Sequence, residues 1–524
     1  MPKRRRDDAE DTEDHRPVAK RQRPLHSDRL SSLSDELILR TLSFLPLPDL
    51  VLCERLSKRW RELATDGQLW KALYYDRFVR PRASRIPGIR AQGSSTVGAL
   101  HYASKTARWL DDERLVRFGA HTKWKRQYKL RHNWSNGSAS IKETEVADQP
   151  TTPPLLIRLH EDLIIIADKD HGLRAWSLQG EQKLITVHAF ASIDGDEHVP
   201  TSLAVDANAS GQQTFSLVVG FKSGAFSFYT FDRQRANFFN NFTHPASSAG
   251  EVSAIACASP FLTTITPEPR LSLYEFKPAA GTHGRMEAPR LISSMRSHTA
   301  YTPICLTLRQ FASTIVASIA FAMPSYMPIW TVGIQELRLD TDGTVVDSRT
   351  AFAAMPQGRS IGEAAHGDML SILPLPSSRP ASLSYNHPYL LTAHADNTLT
   401  LYLVQSNANE LIISAGLILW GHTSSVISAH VGDRGKAVSV STRGNEVRVW
   451  ELEGRGPNAN LTHKAQASVR VQSEDAFDPG SSVEVTSNSL SEQAKGWVAF
   501  DDERVVLLRE KMHGAQAVVV YDFT

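Results

Sequence analysis

Cysteine is scarce in this chain of 524 residues: only Cys53, Cys257 and Cys305 occur, an odd number, far apart and without a CxxC pair. That usage excludes a disulfide scaffold and a four-cysteine zinc site, and it suits a reducing compartment. Long apolar runs are missing too. The longest, around Thr314 to Met323, is about half the length needed to cross a bilayer. The opening MPKRRRDDAEDTED has no apolar core of the kind a secretory signal needs, so the expectation is an intracellular, soluble protein with no membrane partner. An excess of one charge is also absent, with 58 Lys/Arg against 56 Asp/Glu. Residues 1–29 hold nine basic and seven acidic residues, which leaves 49 of each sign in the other 495. A folded body of zero formal charge argues against a general nucleic-acid-binding surface.

Signatures of catalysis are likewise missing. His160-Glu161 opens like a zinc-protease motif, but Ile164 stands where its second histidine belongs. Gly435-Lys436 is followed by Ala437 and has no glycine five residues before it, so it is not a phosphate loop. Asp340-Thr341-Asp342-Gly343 has no terminal glutamate of a calcium loop after it and reads as a β-turn. No GxSxG elbow occurs. The expectation is a non-catalytic protein with no cofactor and no metal.

What is present divides by position. At 41% apolar and 22% charged residues, the chain has the composition of a globular protein, and its length implies two or three domains. Residues 1–29 are too polar to offset ordering entropy and are expected to be a disordered tail. They carry two basic clusters, Lys3-Arg4-Arg5-Arg6 and Lys20-Arg21-Gln22-Arg23, on either side of an acidic stretch. Lys3, Arg4, Arg5, Arg6, Lys20, Arg21 and Arg23 resemble a two-part nuclear localisation signal, which predicts a protein of the nucleus and cytoplasm.

From Leu30 the pattern turns helical. Ser34 can cap a first helix, Asp35 and Glu36 suit its positive end, and Ile38, Leu42 and Leu45 share one face. Pro46 stops it, and Pro48 and Asp49 fit the first turn of a second helix. Leu56, Trp60 and Leu63 follow at spacings of four and three, before Leu69, Trp70 and Leu73. Three or four short helices in about fifty residues expose more apolar surface than so small a core can hide, so a partner surface is expected.

The residues themselves carry a family resemblance. Leu33-Ser34-Asp35-Glu36, Leu45-Pro46-Leu47-Pro48-Asp49-Leu50, Lys58-Arg59-Trp60 and Leu69-Trp70 fall in the order and spacing of an F-box, with Ser34 where the family usually has proline. The segment 30–79 resembles that family. The resemblance implies docking on the Skp adaptor of a cullin-RING ubiquitin ligase. It points to Leu33, Leu37, Leu45, Leu47, Pro48, Leu50, Leu56, Trp60 and Trp70 as adaptor-contact or module-core positions. Residues 80–137 read as a linker and a helical stalk, Arg-, Pro-, Gly- and Ser-rich at first, then basic with Trp109, Trp124 and Tyr128.

Over 138–524 the helical period gives way to short Val/Ile/Leu/Phe/Tyr runs between turn residues. A phrase recurs: an apolar strand, a polar turn, and a strand ending in an aromatic. A turn residue stands six before the aromatic in Asp170 to Trp176, Ser223 to Tyr229, Glu268 to Tyr274, Asp396 to Tyr402 and Gly444 to Trp450. Another copy ends at Tyr521-Asp522, and a divergent one lies between Thr314 and Asp340. With β-prone runs such as LITVHAF and TSLAV between them, four strands per unit emerge, the pattern of a β-propeller, read here with seven blades. A short polar side chain in the turn accepts backbone N–H groups, and the aromatic packs between sheets.

The phrases resemble WD repeats. That resemblance implies a hydrogen-bonded set within a blade, for which His422, Ser441 and Trp450 supply three members while Gly444 replaces the usual Asp; Asp170 and Asp396 keep the acid. The expected fold is therefore a small all-α F-box module and helical stalk followed by an all-β propeller. The expected function is substrate recognition in a Skp–cullin–F-box ligase, the propeller holding a protein target near the charged enzyme. In propeller receptors of this kind, clustered arginines often read phosphorylated motifs, which makes Arg174 and Arg448 candidates, or else solvated sheet-face residues. The alternatives are a non-degradative nuclear scaffold and, further off, an RNA-associated protein using the basic segment 101–132.

Overall fold

The computed structural model describes residues 30–80, 123–353, 378–452, 468–473 and 496–524, except 31, 181, 191–197, 207, 209–212, 248–249, 269, 278–285, 297–300, 311–313, 325–329, 341–343, 408–409, 433–434, 443–445 and 512–513. The basic clusters of the tail lie outside those residues, as does 101–122 of the basic segment. The chain divides into two compact units, one containing residues up to 81 with 116–125, the other the remainder.

The first unit is built from α1 (Asp35–Leu42), α2 (Leu47–Cys53), α3 (Lys58–Ala64), α4 (Gly67–Tyr74) and a π-turn over Tyr75–Val79. Their starts follow local chemistry. Ser57 Oγ accepts the Trp60 N–H, Asp66 Oδ1 accepts the Gln68 and Leu69 N–H groups, and Pro48 sits in the first turn of α2, where its missing N–H costs nothing. Ser34 occupies the N-cap of α1 but makes no side-chain cap there, contrary to expectation. Instead Arg59 secures that corner, donating to Asp35 at 2.6 Å and to the Leu33 carbonyl at 2.7 Å. The core is Ile38, Leu42, Leu50, Ala64, Leu69, Trp70 and Tyr74, closed by Trp124, whose ring lies 5.5 Å from that of Tyr74. Lys125 adds an ion pair to Glu54 at 2.5 Å.

A further helix, α5, spans Trp124–Asn136. Within the second unit, its Trp134 stacks on Phe523 with ring centroids 4.0 Å apart, and Asn133 donates to the Phe523 carbonyl.

The second unit is a ring of seven sheets. After β1 (Ser138–Ala147), blade 1 contains β2 (Leu156–His160), β3 (Leu163–Asp168), β4 (Gly172–Ser177) and β5 (Leu184–His188). Blade 2 contains β6 (Pro200–Val205), β7 (Thr214–Phe221), β8 (Phe226–Asp232) and β9 (Asn237–His244); blade 3 contains β10 (Ala254–Ala258), β11 (Phe261–Ile265), β12 (Arg270–Glu275) and β13 (Arg290–Arg296). Blade 4 is formed by β14 (Tyr301–Gln310), β15 (Thr314–Pro324), β16 (Trp330–Asp340) and β17 (Val345–Phe352). Blade 5 has β18 (Ser382–Asn386), β19 (Tyr389–Ala393) and β20 (Leu399–Ser406), with an outer strand broken into β21 (Leu411–Ile413) and β22 (Leu417–Leu419). Blade 6 has β23 (Val426–Val431), β24 (Lys436–Ser441), β25 (Val447–Glu451) and β26 (Ser468–Arg470).

The last blade closes the ring. Following β27 (Gln472–Ser473), the strands β28 (Val498–Phe500), β29 (Arg504–Glu510) and β30 (Gln516–Asp522) pair in order, and β1 completes them from the far end of the sequence. Ser140 faces Asp522 and Thr144 faces Val518 in that antiparallel pairing, while β27 pairs parallel with the start of β1. The first strand of each blade touches the first strands of its two neighbours, including β2 with β28, so the circle is complete. The expected seven blades are present; LITVH, read as leading into the second repeat, is instead the outer strand of blade 1. The apolar run Thr314–Pro324 is the long second strand of blade 4, and no helix among the described residues is long and apolar enough to cross a membrane.

Seven apolar clusters hold the ring, one between each pair of neighbouring blades. The period-2 alternation of each strand produces this, since every sheet buries both faces against neighbours.

Candidate functional site

Two kinds of site emerge, an apolar surface on the helical unit and polar centres inside the blades. On the helical unit, α1, α2 and the turns that flank them bury some apolar side chains in the core and leave others uncovered. Phe44 is 72% exposed, Leu56 67%, and Leu30, Leu37 and Leu52 each above 50%, with Val51 also open. Six of the fifteen exposed large apolar side chains among the described residues thus fall within residues 30–56, more than scattered surface residues account for.

The nine residues proposed for this module separate accordingly. Leu50 and Trp70 are buried, Trp70 donating its indole N–H to the Ala64 carbonyl at 2.7 Å. Leu33, Leu45, Leu47 and Trp60 are half-buried, while Leu37, Pro48 and Leu56 are exposed. Sequence reasoning missed Phe44, Val51 and Leu52, whose neighbours Leu42, Leu45 and Leu50 offered the same apolar signal.

In blade 6 the structure corrects the hydrogen-bonded set. Trp450, fully buried, donates its Nε1–H to Ser439 Oγ at 2.7 Å, and His422 Nε2 lies 2.6 Å from the same oxygen. Ser441, the residue expected here, lies two positions on at the end of β24, where its Oγ accepts the Glu446 N–H. Ser439 and Ser441 share one face by the period-2 rule, so the pattern could not separate them. The acid is not lost from this blade, because Glu446 supplies it. Its Oε2 accepts from the Thr423 N–H and hydroxyl at 2.9 Å each and lies 3.5 Å from His422 Nδ1; its Oε1 accepts from Arg448 at 2.7 Å. Burial alone would raise the Glu446 pKa, but Thr423 and Arg448 outweigh it and hold it at about 2. Burial brings His422 down to about 4, so its ring is neutral at pH 7.

Blade 1 carries the second correction. Asp170 is exposed, and the carboxylate that organises the turn is Asp168. Asp168 Oδ1 accepts the N–H groups of Asp170 and His171 at 2.9 and 2.6 Å, and Oδ2 accepts from Arg174 at 2.6 Å. A carboxylate at the end of a strand reaches the turn amides that follow, as Asp232 and Asp501 also do. Asp396 works within its turn, accepting from the Thr398 N–H and hydroxyl. Trp176 is half-buried toward blade 7 and its indole N–H has no hydrogen-bond partner among the described residues, while Tyr402 is buried between blades 4 and 5. Arg174 and Arg448 are committed to Asp168 and Glu446 inside their blades, which removes them as readers of a phosphorylated target.

A helical module with uncovered apolar side chains, together with a closed ring of seven blades, defines an F-box protein with a β-propeller. The chain belongs to the family described as F-box protein pof12 beta-propeller, which matches residues 139–524, and residues 30–76 match the F-box-like family. F-box protein pof12 of Schizosaccharomyces pombe is 23% identical over 424 residues, covering 80% of this chain and 84% of that protein. Among solved structures, "Structure of U3-55K" aligns over 73% of this chain and 98% of its own at 9% identity, TM-score 0.41. The C-terminal WD40 domain of Sif2 aligns over 74% and 84% at 14% identity, TM-score 0.38.

Proposed function

We propose that this protein is the substrate-recognition subunit of a Skp–cullin–F-box ubiquitin ligase: its helical module docks on the Skp adaptor and its propeller holds a protein target. The observation that carries this reading is the exposure of Leu30, Leu37, Phe44, Val51, Leu52 and Leu56, left open by a module whose own core is already closed. The role is positional. Holding a target beside the ubiquitin-charged enzyme raises its effective concentration, and the propeller need supply no nucleophile. The basic clusters of residues 1–29 add a proposed nuclear address; a reporter fused to that tail should accumulate in the nucleus, and an even distribution would count against it.

The test of the ligase role is a Phe44→Ser/Leu56→Ser double variant of the full chain. Both side chains are mostly exposed, so folding should be unaffected, while removing each one from a buried adaptor interface should cost about 1–2 kcal/mol of binding. Adaptor co-purification should fall at least tenfold, and proteins that co-purify with the propeller should lose ubiquitylation. Unchanged adaptor binding would end the docking reading; unchanged ubiquitylation and half-life of those proteins, with the adaptor no longer bound, would end the receptor reading.

A further inference from the structure

The seven innermost strands, β2, β6, β10, β14, β18, β23 and β28, carry no Lys, Asp or Glu and two arginines, Arg158 on β2 and Arg309 on β14. Arg309 is committed, donating to Glu336 Oε1 at 2.7 Å. Arg158 is not. Its side chain is open to solvent, its one hydrogen bond runs to the carbonyl of its own neighbour Ile157 at 3.2 Å, and no carboxylate pairs with it among the described residues.

Arg158 faces the channel that the ring encloses. Its strand lies between β28 and β6 in the inner circle, and Arg158, third of the five residues of that strand, is exposed, so its side chain opens on the central space. Water reaches the guanidinium, yet enough protein surrounds it that burial pushes its pKa below the ordinary arginine value. A cation so placed, among strands without a counter-charge, is poorly compensated by its own fold. The same surroundings strengthen its attraction for an incoming anion, and its planar fork matches a carboxylate or phosphate edge.

We propose that the central channel is a binding site for one anionic group, a carboxylate or a phosphate, with Arg158 as its bidentate partner. Arg158 is the third of the five residues of β2, which sets it about 7 Å inside the channel at the usual rise per residue. The ligand is therefore a small anion or the tip of a chain, not a flat protein surface. The site stands independently of the ligase role, since a free anion meets its requirements.

The test uses the full chain with isotopically labelled arginine, the Arg158 guanidinium signal being the one that disappears in Arg158→Leu. Sodium phosphate and sodium acetate are titrated separately against chloride at constant ionic strength. The Arg158 signal should move to saturation at concentrations where other arginine signals only drift, and Arg158→Lys should bind at least threefold more weakly, a point charge replacing the fork. Saturation by phosphate alone identifies a phosphoryl ligand, by acetate alone a carboxylate, and by both a general anion site. The Tm of Arg158→Leu in chloride should equal or exceed that of the parent, because among the described residues the arginine has no carboxylate partner to give up, only a long bond to the neighbouring Ile157 carbonyl. A linear response to both anions, or a fall in that Tm showing a structural arginine, overturns the proposal.

Discussion

Replacing Ser439 with alanine should be among the most damaging single-atom deletions in the propeller. Its oxygen serves both the indole N–H of Trp450 and the ring of His422, each of them buried. Stranding a buried polar group costs about 1–2 kcal/mol, so the two together give about 2–4 kcal/mol. A propeller of about 390 residues, at about 2 cal/mol/K per residue, unfolds with an entropy near 0.8 kcal/mol/K. The expected fall in Tm is therefore about 3–5 °C. Ser441→Ala, which removes one acceptor at the turn, should cost about 1 kcal/mol and less than 2 °C. Calorimetry of the two variants separates them, and a double-mutant cycle adds the decisive reading. In a Trp450→Phe background the indole N–H is already gone, so Ser439→Ala should cost at least 1 kcal/mol less than in the parent. Equal losses for the two serines, or strict additivity with Trp450→Phe, would refute the assigned network.

Other expectations follow from the same geometry. His422 has its pKa lowered from 6.5 to about 4 on folding, so the unfolded chain binds more protons between those values and stability falls as pH drops from 6.5 to 4, by up to about 3 kcal/mol; His422→Gln should remove that slope in pH-dependent unfolding. Asp501 works in the opposite sense. Burial raises its carboxyl from 3.8 to about 6, its contribution is lost as pH rises through 6, and Asp501→Asn should steepen the loss of stability on acidification. Trp124→Ala should destabilise the helical unit by about 3–4 kcal/mol, seen as faster amide exchange around Tyr74, Tyr75 and Lys71, whose side chains meet the indole; unchanged exchange there would deny Trp124 its place in that core. Gly137, at φ +73, would direct any Cβ into the Arg470 carbonyl oxygen, so Gly137→Ala should lower the Tm, whereas substituting Gly180, which has open space around it, should cost only its backbone strain.

How legible these features were depends on the range over which each is encoded. The helical module is local: Pro46, Pro48 and the leucine spacing each specify geometry within a few residues, and the resulting helices match. The blades repeat, so a weak signal became firm by recurrence. Single residues within a repeat were less secure, because Ser439 and Ser441, or Asp168 and Asp170, differ by one row or one turn and have the same chemistry. Exposure was not legible at all for Phe44 and Leu52, since an apolar residue left open on the surface reads in the sequence like one in a core. The isolation of Arg158 was equally hidden, being a property of seven strands that meet only in the ring.

The pairing of β1 with β30 has a consequence for how the protein is made. Thr144 meets Val518, so the strand that completes blade 7 leaves the ribosome long before its partner exists, while the helical module, whose order is local, has everything it needs from the first part of the chain. Through synthesis a nascent molecule would thus carry the helical module and a growing, open row of blades, a state in which sheet edges and interblade apolar faces are exposed to mispairing. A chain cut short before residue 516 would keep the complete helical module and lack β30, so that β1 would have no antiparallel partner and the ring could not close.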